Sequence, residues 1–196
     1  MTKKPKKIAI LDGHPDPDPA RYIHALADAY CKGAREAGHE VRHVMLGDIN
    51  MPILHSREHW MHNDAPEDVK PGQEAILWAD HIIFLYPLWL GDMPALLKAF
   101  LEQALRPGTA LQYGDGAAPE KLLKGKSARL VVTMGMPAFF YRAYYGAHSV
   151  RSFKRNILEL VGIEPVETSL IGNVEGSARH RERWLTKMHD YGVAGS

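Results

Sequence analysis

One cysteine stands in 196 residues. That single thiol, Cys31, excludes an intramolecular disulfide and any metal cluster built on cysteine. Long apolar runs are missing too. No stretch approaches the ~20 residues a membrane-spanning helix needs, and Ile8 to Leu11 is too short for a signal peptide. Charge of one sign is also scarce: 24 Lys and Arg face 23 Asp and Glu, for a formal net charge of +1. Such a balance offers no field for a polyanion. These absences predict a cytoplasmic protein with no nucleic-acid partner and no membrane insertion. The one concentration of charge, Lys3, Lys4, Lys6 and Lys7, reads as part of a flexible basic tail over residues 1–6. Internal repeats and low-complexity tracts are absent. The chain reads as one domain over 1–196, long enough to bury most of its apolar surface.

What is present is alternation. Lys7 to Leu11 is a short aliphatic strand. Ala20 to Ala37 is a helix, with Tyr22, Ile23, Leu26, Ala27, Tyr30 and Ala34 at helical spacing and Gly38 past its end. Val41 to Leu46 alternates like an edge strand. Gln73 to Ala79 is helical. His81 to Tyr86 is apolar nearly throughout, as a central strand of a parallel sheet would be. Pro94 to Leu105, Ala147 to Leu160 and Ala178 to Tyr191 are further helices. Ala128 to Met134 and Pro165 to Ile171 are further strands, and Arg106 to Lys126 is a long excursion. Strands alternating with helices predict parallel βαβ units with right-handed crossovers. In such open sheets, ligands bind at the carboxyl ends of the strands.

Three loops fall at those ends. The first, Asp12 to Pro19, follows a strand and opens a helix, and a helix N-terminus is a ready anion site. It has no Ser or Thr, but carries His14 and Arg21, whose guanidinium can pair with a phosphate through two donors. Asp18 before Pro19 reads as the helix N-cap. The second loop runs Pro87, Leu88, Trp89, Leu90, Gly91 and on to Pro94, where proline fits the first turn of a helix. The third begins Thr133, Met134, Gly135, Met136, and carries Tyr141 and His148.

The second loop resembles the isoalloxazine-binding loop of the flavodoxin-like NAD(P)H:quinone oxidoreductases, the DT-diaphorase family. That pattern is an apolar strand, Pro, a short aromatic or polar stretch, then Pro-Ala-x-Leu-Lys, here Pro87 to Lys98. The resemblance implies a doubly wound five-stranded parallel sheet of order 2-1-3-4-5 with helices on both faces. It also implies a flavin, FAD with FMN as the alternative. His14 and Arg21 would meet the phosphates, and Pro87, Leu88, Trp89, Leu90 and Gly91 would edge the ring. Thr133 and Gly135 match the family's Thr-Thr-Gly-Gly loop, and Tyr141 and His148 match its Tyr and His near the pyrimidine edge. Those two are the implied catalytic pair: donors placed there stabilise charge that develops on the ring and relay a proton. The implied reaction is two-electron transfer from NAD(P)H, the co-substrate, to a quinone-like acceptor by a ping-pong mechanism. The family's active site lies between two subunits, which implies a homodimer.

Other readings compete. His55, His59 and His62 fall at i, i+4 and i+7, a spacing that invites a zinc reading, although no cysteine supports it and no metal is expected. Arg142, Arg151, Lys154 and Arg155 could meet the 2′-phosphate of NADPH or form a solvated helix face. Two other function classes remain: an ancillary regulatory subunit of a potassium efflux system, and a pure electron carrier. Carriers of that kind tend to be acidic, unlike this chain.

Overall fold

In the computed structural model, which describes residues 4–62, 64–114 and 118–196, the apolar runs pair into one parallel sheet. Its strands are β1 (Lys7–Asp12), β2 (Glu40–Met45), β3 (His81–Pro87), β6 (Ser127–Thr133) and β7 (Val166–Ile171). Their spatial order is β2-β1-β3-β6-β7. A small antiparallel pair, β4 (Leu111–Gln112) with β5 (Glu120–Lys121), lies inside the 106–126 excursion. Leaving that pair aside, the order is the expected 2-1-3-4-5. Burial explains the two kinds of strand pattern. Every residue of central β3 is buried, whereas edge strand β2 is only half-buried.

The helices are α1 (Tyr22–Glu36), α2 (Arg57–His62), α3 (Lys70–Trp78), α4 (Ala95–Ala104), α5 (Ala138–Ala143), α6 (His148–Ser152), α7 (Glu159–Val161) and α8 (Ala178–Ala194). A π-helical stretch, Phe153–Leu158, joins α6 to α7. The sheet buries both faces. Ile8, Ile10 and Ile83 pack with Leu26 and Tyr30 of α1 and Met188 of α8. Leu11, Phe84 and Tyr86 pack on the other side with Leu97 and Phe100 of α4 and with Phe153.

Helices α1 and α8 touch through glycines. A Cβ at Gly33 would lie 2.1 Å from the His189 carbonyl oxygen, and one at Gly192 would lie 2.1 Å from that of Tyr30. Both obstacles are backbone, so no rotamer change relieves them. Gly33→Ala is expected to cost roughly 1–3 kcal/mol or more, as overpacking does. Urea unfolding checks this, and an unchanged midpoint would contradict it.

His81 is a second pressure point. It is buried in β3 with Nδ1 2.8 Å from the Ser127 hydroxyl. Burial, helped by the charges of Lys6 and Arg129, lowers its pKa to about 3. The unfolded chain therefore binds this proton at a higher pH than the folded one does. The stability held above the unfolded pKa of 6.5 is lost as pH falls toward the folded value of about 3. From pH 6.5 to 4.5 the loss from this group is expected to reach roughly 2–3 kcal/mol. His81→Phe should flatten that part of the denaturation profile; an equally steep profile would contradict the assignment.

Several local expectations change. The tail does not extend to residue 6: the Lys6 backbone N–H donates to His39 Nδ1 at 3.0 Å and its Nζ to the Gly195 carbonyl at 2.7 Å. Residues 1–3 lie outside the described residues. Asp18 does not cap α1. Its carboxylate accepts from Ala20 N at 3.0 Å within a tight turn, and the helix opens after Arg21. Helix α3 begins three residues before Gln73, with a proline in its first turn. The third loop carries a helix of its own, α5. Among the described residues no helix is long and apolar enough to cross a membrane.

Candidate functional site

Register places the three loops on one rim. Asp12 pairs with Leu85, and Pro87, two residues further along β3, pairs with Thr133. Gly13 N donates to the Leu85 carbonyl at 2.7 Å and Leu88 N to the Thr133 carbonyl at 2.8 Å. The chain therefore leaves β1, β3 and β6 side by side at their carboxyl ends.

The first loop is held by a polar network. Asp12, fully buried, accepts from His14 N at 3.1 Å and faces His24 Nδ1 at 2.5 Å. Asp16 N donates to His14 Nδ1 at 3.0 Å. The Asp16 carbonyl lies 3.1 Å from the same Nδ1, so that nitrogen accepts from the N–H in one tautomer and donates to the carbonyl in the other. Burial and the neighbouring His24 lower the His14 pKa. Arg21 is engaged within the loop, 2.5 Å from the Asp16 carboxylate and 3.7 Å from that of Asp18. Helix α1 has no side-chain cap and no acidic residue in its first turn, so its N-terminal positive end is not neutralised there.

The second loop meets the first. The rings of His14 and Trp89 stand edge to face, 5.7 Å apart. Trp89 to Asp92 form a turn closed by two backbone bonds, Trp89 N to Asp92 O at 2.9 Å and the reverse at 3.0 Å. Leu90 and Gly91 have φ of +48° and +83°, the signature of a type I′ turn. A leucine in that region is rare, and its side chain is fully exposed. The N–H groups of Leu90 and Gly91 take no part in the turn's two bonds.

The third loop lies against β7. Met134 N donates to Ile171 O at 2.9 Å, and Asn173 N to Met136 O at 3.2 Å. Beneath it sits Gly172, where a Cβ would lie 2.3 Å from Ala138 N and 2.6 Å from Met136 O. The second and third loops enclose a cavity of about 460 Å³ walled by Leu88, Leu90, Gly91, Gly135, Met136 and Tyr141. Tyr141 is buried, and its hydroxyl lies 2.7 Å from Ser149 Oγ. Beyond Ser149 a second cavity of about 500 Å³ opens between Trp89, Met93 and Ser152.

His14, Arg21, Pro87, Leu88, Trp89, Leu90, Gly91, Thr133, Gly135 and Tyr141 thus all lie on the rim or its three loops. His148 is different: it is exposed at the start of α6, and Ser149 takes the place beside the Tyr141 hydroxyl. The sequence expectation missed Ser149, Gly172 and His24. His59 and His62 share the six-residue helix α2. Among the described residues no group of three or more His, Cys, Asp or Glu is placed to hold a metal ion. Arg142, Arg151 and Arg155 are exposed, and Lys154 lies 3.9 Å from Glu159.

Known proteins resemble this chain in sequence and fold. A family model described as a flavodoxin-like fold matches residues 6–191. An uncharacterized NAD(P)H oxidoreductase of Haemophilus influenzae is 31% identical over 169 residues, 84% of this chain and 83% of that protein. An FMN-dependent NADH:quinone oxidoreductase of Listeria innocua is 32% identical over 108 residues, 52% of this chain and 47% of that protein. The structure of an NAD(P)H:quinone oxidoreductase from Methanothermobacter marburgensis superposes with a TM-score of 0.81 and 26% identity, covering 98% of this chain and 97% of that one. The chain belongs to the flavodoxin-like NAD(P)H:quinone oxidoreductase family.

Proposed function

We propose that the protein is a flavin-dependent NAD(P)H oxidoreductase that passes two electrons to a quinone-like acceptor, with FMN as its flavin. The cavity between the second and third loops carries this reading: apolar walls, the N–H groups of Leu90 and Gly91, which have no hydrogen-bond partner among the described residues, and the buried hydroxyl of Tyr141. A flat ring with a polar edge fits those donors. The uncapped N-terminus of α1, with His14 beside it, fits a phosphate. FMN replaces the FAD expected from the sequence because relatives such as the Listeria innocua protein are FMN-dependent. The relatives named above give no support to the efflux-subunit alternative.

A bound flavin would supply reversible two-electron chemistry, taking hydride from NAD(P)H and returning it to the acceptor. The chain's residues bind, orient and hold protons. The His14 ring and the first N–H groups of α1 would hold the phosphate. Arg21 would either turn to it or steady Asp16. The main chain of Leu88 to Gly91 and of Gly135 would edge the ring, with Pro87, Trp89 and Thr133 supporting them. Tyr141 would hold a proton at its hydroxyl where negative charge develops, with Ser149 as the partner that receives or supplies it.

Phe139, Phe140, Tyr144 and Tyr145 are all exposed, at 79%, 44%, 73% and 46%. Phe140 and Tyr144 stack with centroids 5.0 Å apart. Aromatics are enriched in interface cores, which supports a homodimer seam here. Sedimentation velocity should give a dimer at micromolar concentration, and a monomer would contradict it.

The functional reading is tested by titrating the apoprotein with FMN and FAD and following fluorescence quenching. FMN should bind below about 10 μM, equivalent to roughly 7 kcal/mol, and more tightly than FAD. Failure of both to bind would contradict the reading.

A further inference from the structure

We infer that His24, a buried residue of α1 outside the flavin cavity, is a positioning residue that holds the first loop in its phosphate-binding shape only while it is doubly protonated. The inference rests on the flavin reading above. It is carried by two distances. His24 Nδ1 lies 2.5 Å from the Asp12 carboxylate, and Nε2 lies 3.0 Å from the Asp16 backbone carbonyl. A carbonyl oxygen only accepts, and so does an ionised carboxylate. An imidazole that satisfies both must donate from both nitrogens, so His24 is an imidazolium. With side-chain exposures of 7% for His24 and none for Asp12, this is a buried ion pair.

The pair reaches the loop through a chain of contacts. Asp12 accepts from His14 N, and Asp16, whose carbonyl His24 holds, donates its N–H to His14 Nδ1. Removing one proton from His24 leaves a lone pair facing either the Asp16 carbonyl or the Asp12 carboxylate. If it faces the carbonyl, Asp16 is released and the bond that orients His14 goes with it. If it faces the carboxylate, a buried charge loses its donor, which is costly.

The groups around His24 make the proton's loss readable. Asp12 on β1, Asp16 in the loop and Asp28 on α1 all favour the charged ring. His14, 5.5 Å away, and His43 on β2 oppose it. Burial opposes the charge on His24, but the Asp12 and Asp16 hydrogen bonds and the nearby carboxylates outweigh it and raise the pKa. Burial lowers His14 and His43, so both are neutral before His24 titrates. A group with a raised folded pKa contributes its order at low pH and loses it as pH rises.

The experiment measures FMN affinity of the apoprotein by fluorescence quenching from about pH 7 to 9.5, above the second ionisation of a phosphate monoester near ~6. The wild type should weaken by at least roughly tenfold across this range, the scale of one lost charged hydrogen bond. His24→Gln should already be weak at pH 7 and show a flat profile. Nitrogen-15 NMR of the wild-type histidines supplies the second arm. It should show both His24 nitrogens protonated at pH 7, with the titration moved to higher pH by bound FMN. A neutral His24 at pH 7, or tight FMN binding that stays constant with pH, would overturn this inference and leave the flavin reading intact. An absence of FMN binding at every pH would overturn both.

Discussion

Tyr141→Phe slows the reduction of FMN-loaded protein by NAD(P)H by roughly ten- to a thousandfold, the span for removing one positioned donor. FMN affinity changes little, because the phosphate and most ring contacts are assigned to the other loops. The reason is positional. Tyr141 is buried in the wall of the cavity, and its hydroxyl lies 2.7 Å from Ser149 Oγ. That partner opens onto the second cavity beyond it, which gives the proton a route away from the ring. Ser149→Ala should therefore slow the same step by about tenfold, and Ser149→Thr, which keeps the hydroxyl, should recover most of the loss. The resemblance in sequence had pointed to His148 for this role. Its exposed position at the start of α6 predicts that His148→Ala slows reduction less than Ser149→Ala does. Anaerobic stopped-flow absorbance separates these outcomes. Equal rates for wild type and Tyr141→Phe would remove the tyrosine from the chemistry. A His148→Ala defect larger than that of Ser149→Ala would restore the histidine.

Gly172→Ala weakens FMN binding by about five- to a hundredfold, although residue 172 lines no part of the cavity. A methyl group there meets three backbone atoms of the third loop, Ala138 N at 2.3 Å, Met136 O at 2.6 Å and Pro137 C at 2.9 Å. The loop must lift, since β7 is anchored along its length by β6. Lifting breaks the bond from Asn173 N to Met136 O and displaces Gly135 and Met136 from the cavity wall. Overpacking of this kind costs about 1–3 kcal/mol, and the affinity range follows from that cost. Circular dichroism should show the fold retained. An unchanged FMN affinity would mean that the third loop does not hold the flavin.

The contrast between Tyr141 and Gly172 shows what the sequence displays. Apolar β-formers ending at Pro87, followed by Pro94 and a helix, are local signals; such signals carried the alternation of strands and helices and the places of the three loops, while the strand order came from the family resemblance. The tyrosine was visible because its residue type and place in the loop are themselves a pattern. Gly172 was not, because its constraint is a backbone approach from a segment some 35 residues away in the chain, between Met136 and Ala138. His24 was hidden differently. On a helical wheel it is one more position on the buried face of α1, and only the fold brings it against Asp12. The choice between Ser149 and His148 turned on one residue of register after α5. The chain there passes through Gly146 and Ala147, both with positive φ, a kink that no periodicity reveals. Asp18 failed as a cap because Arg21 N bonds back to the Asp18 carbonyl at 3.0 Å, so a turn precedes the helix.

The central claim is that one protein-bound flavin takes two electrons from NAD(P)H and surrenders them to a quinone from the same rim. The direct measurement is a two-stage anaerobic experiment on FMN-reconstituted protein. NADH or NADPH is first titrated in while the visible flavin band is followed. The reduced protein is then freed of nicotinamide and mixed with a soluble benzoquinone. The account predicts that one equivalent bleaches the band, and that one equivalent of quinone restores it with no nicotinamide present. A band that neither nicotinamide bleaches faster than free FMN, or a reduced protein that quinone fails to reoxidise, would contradict it.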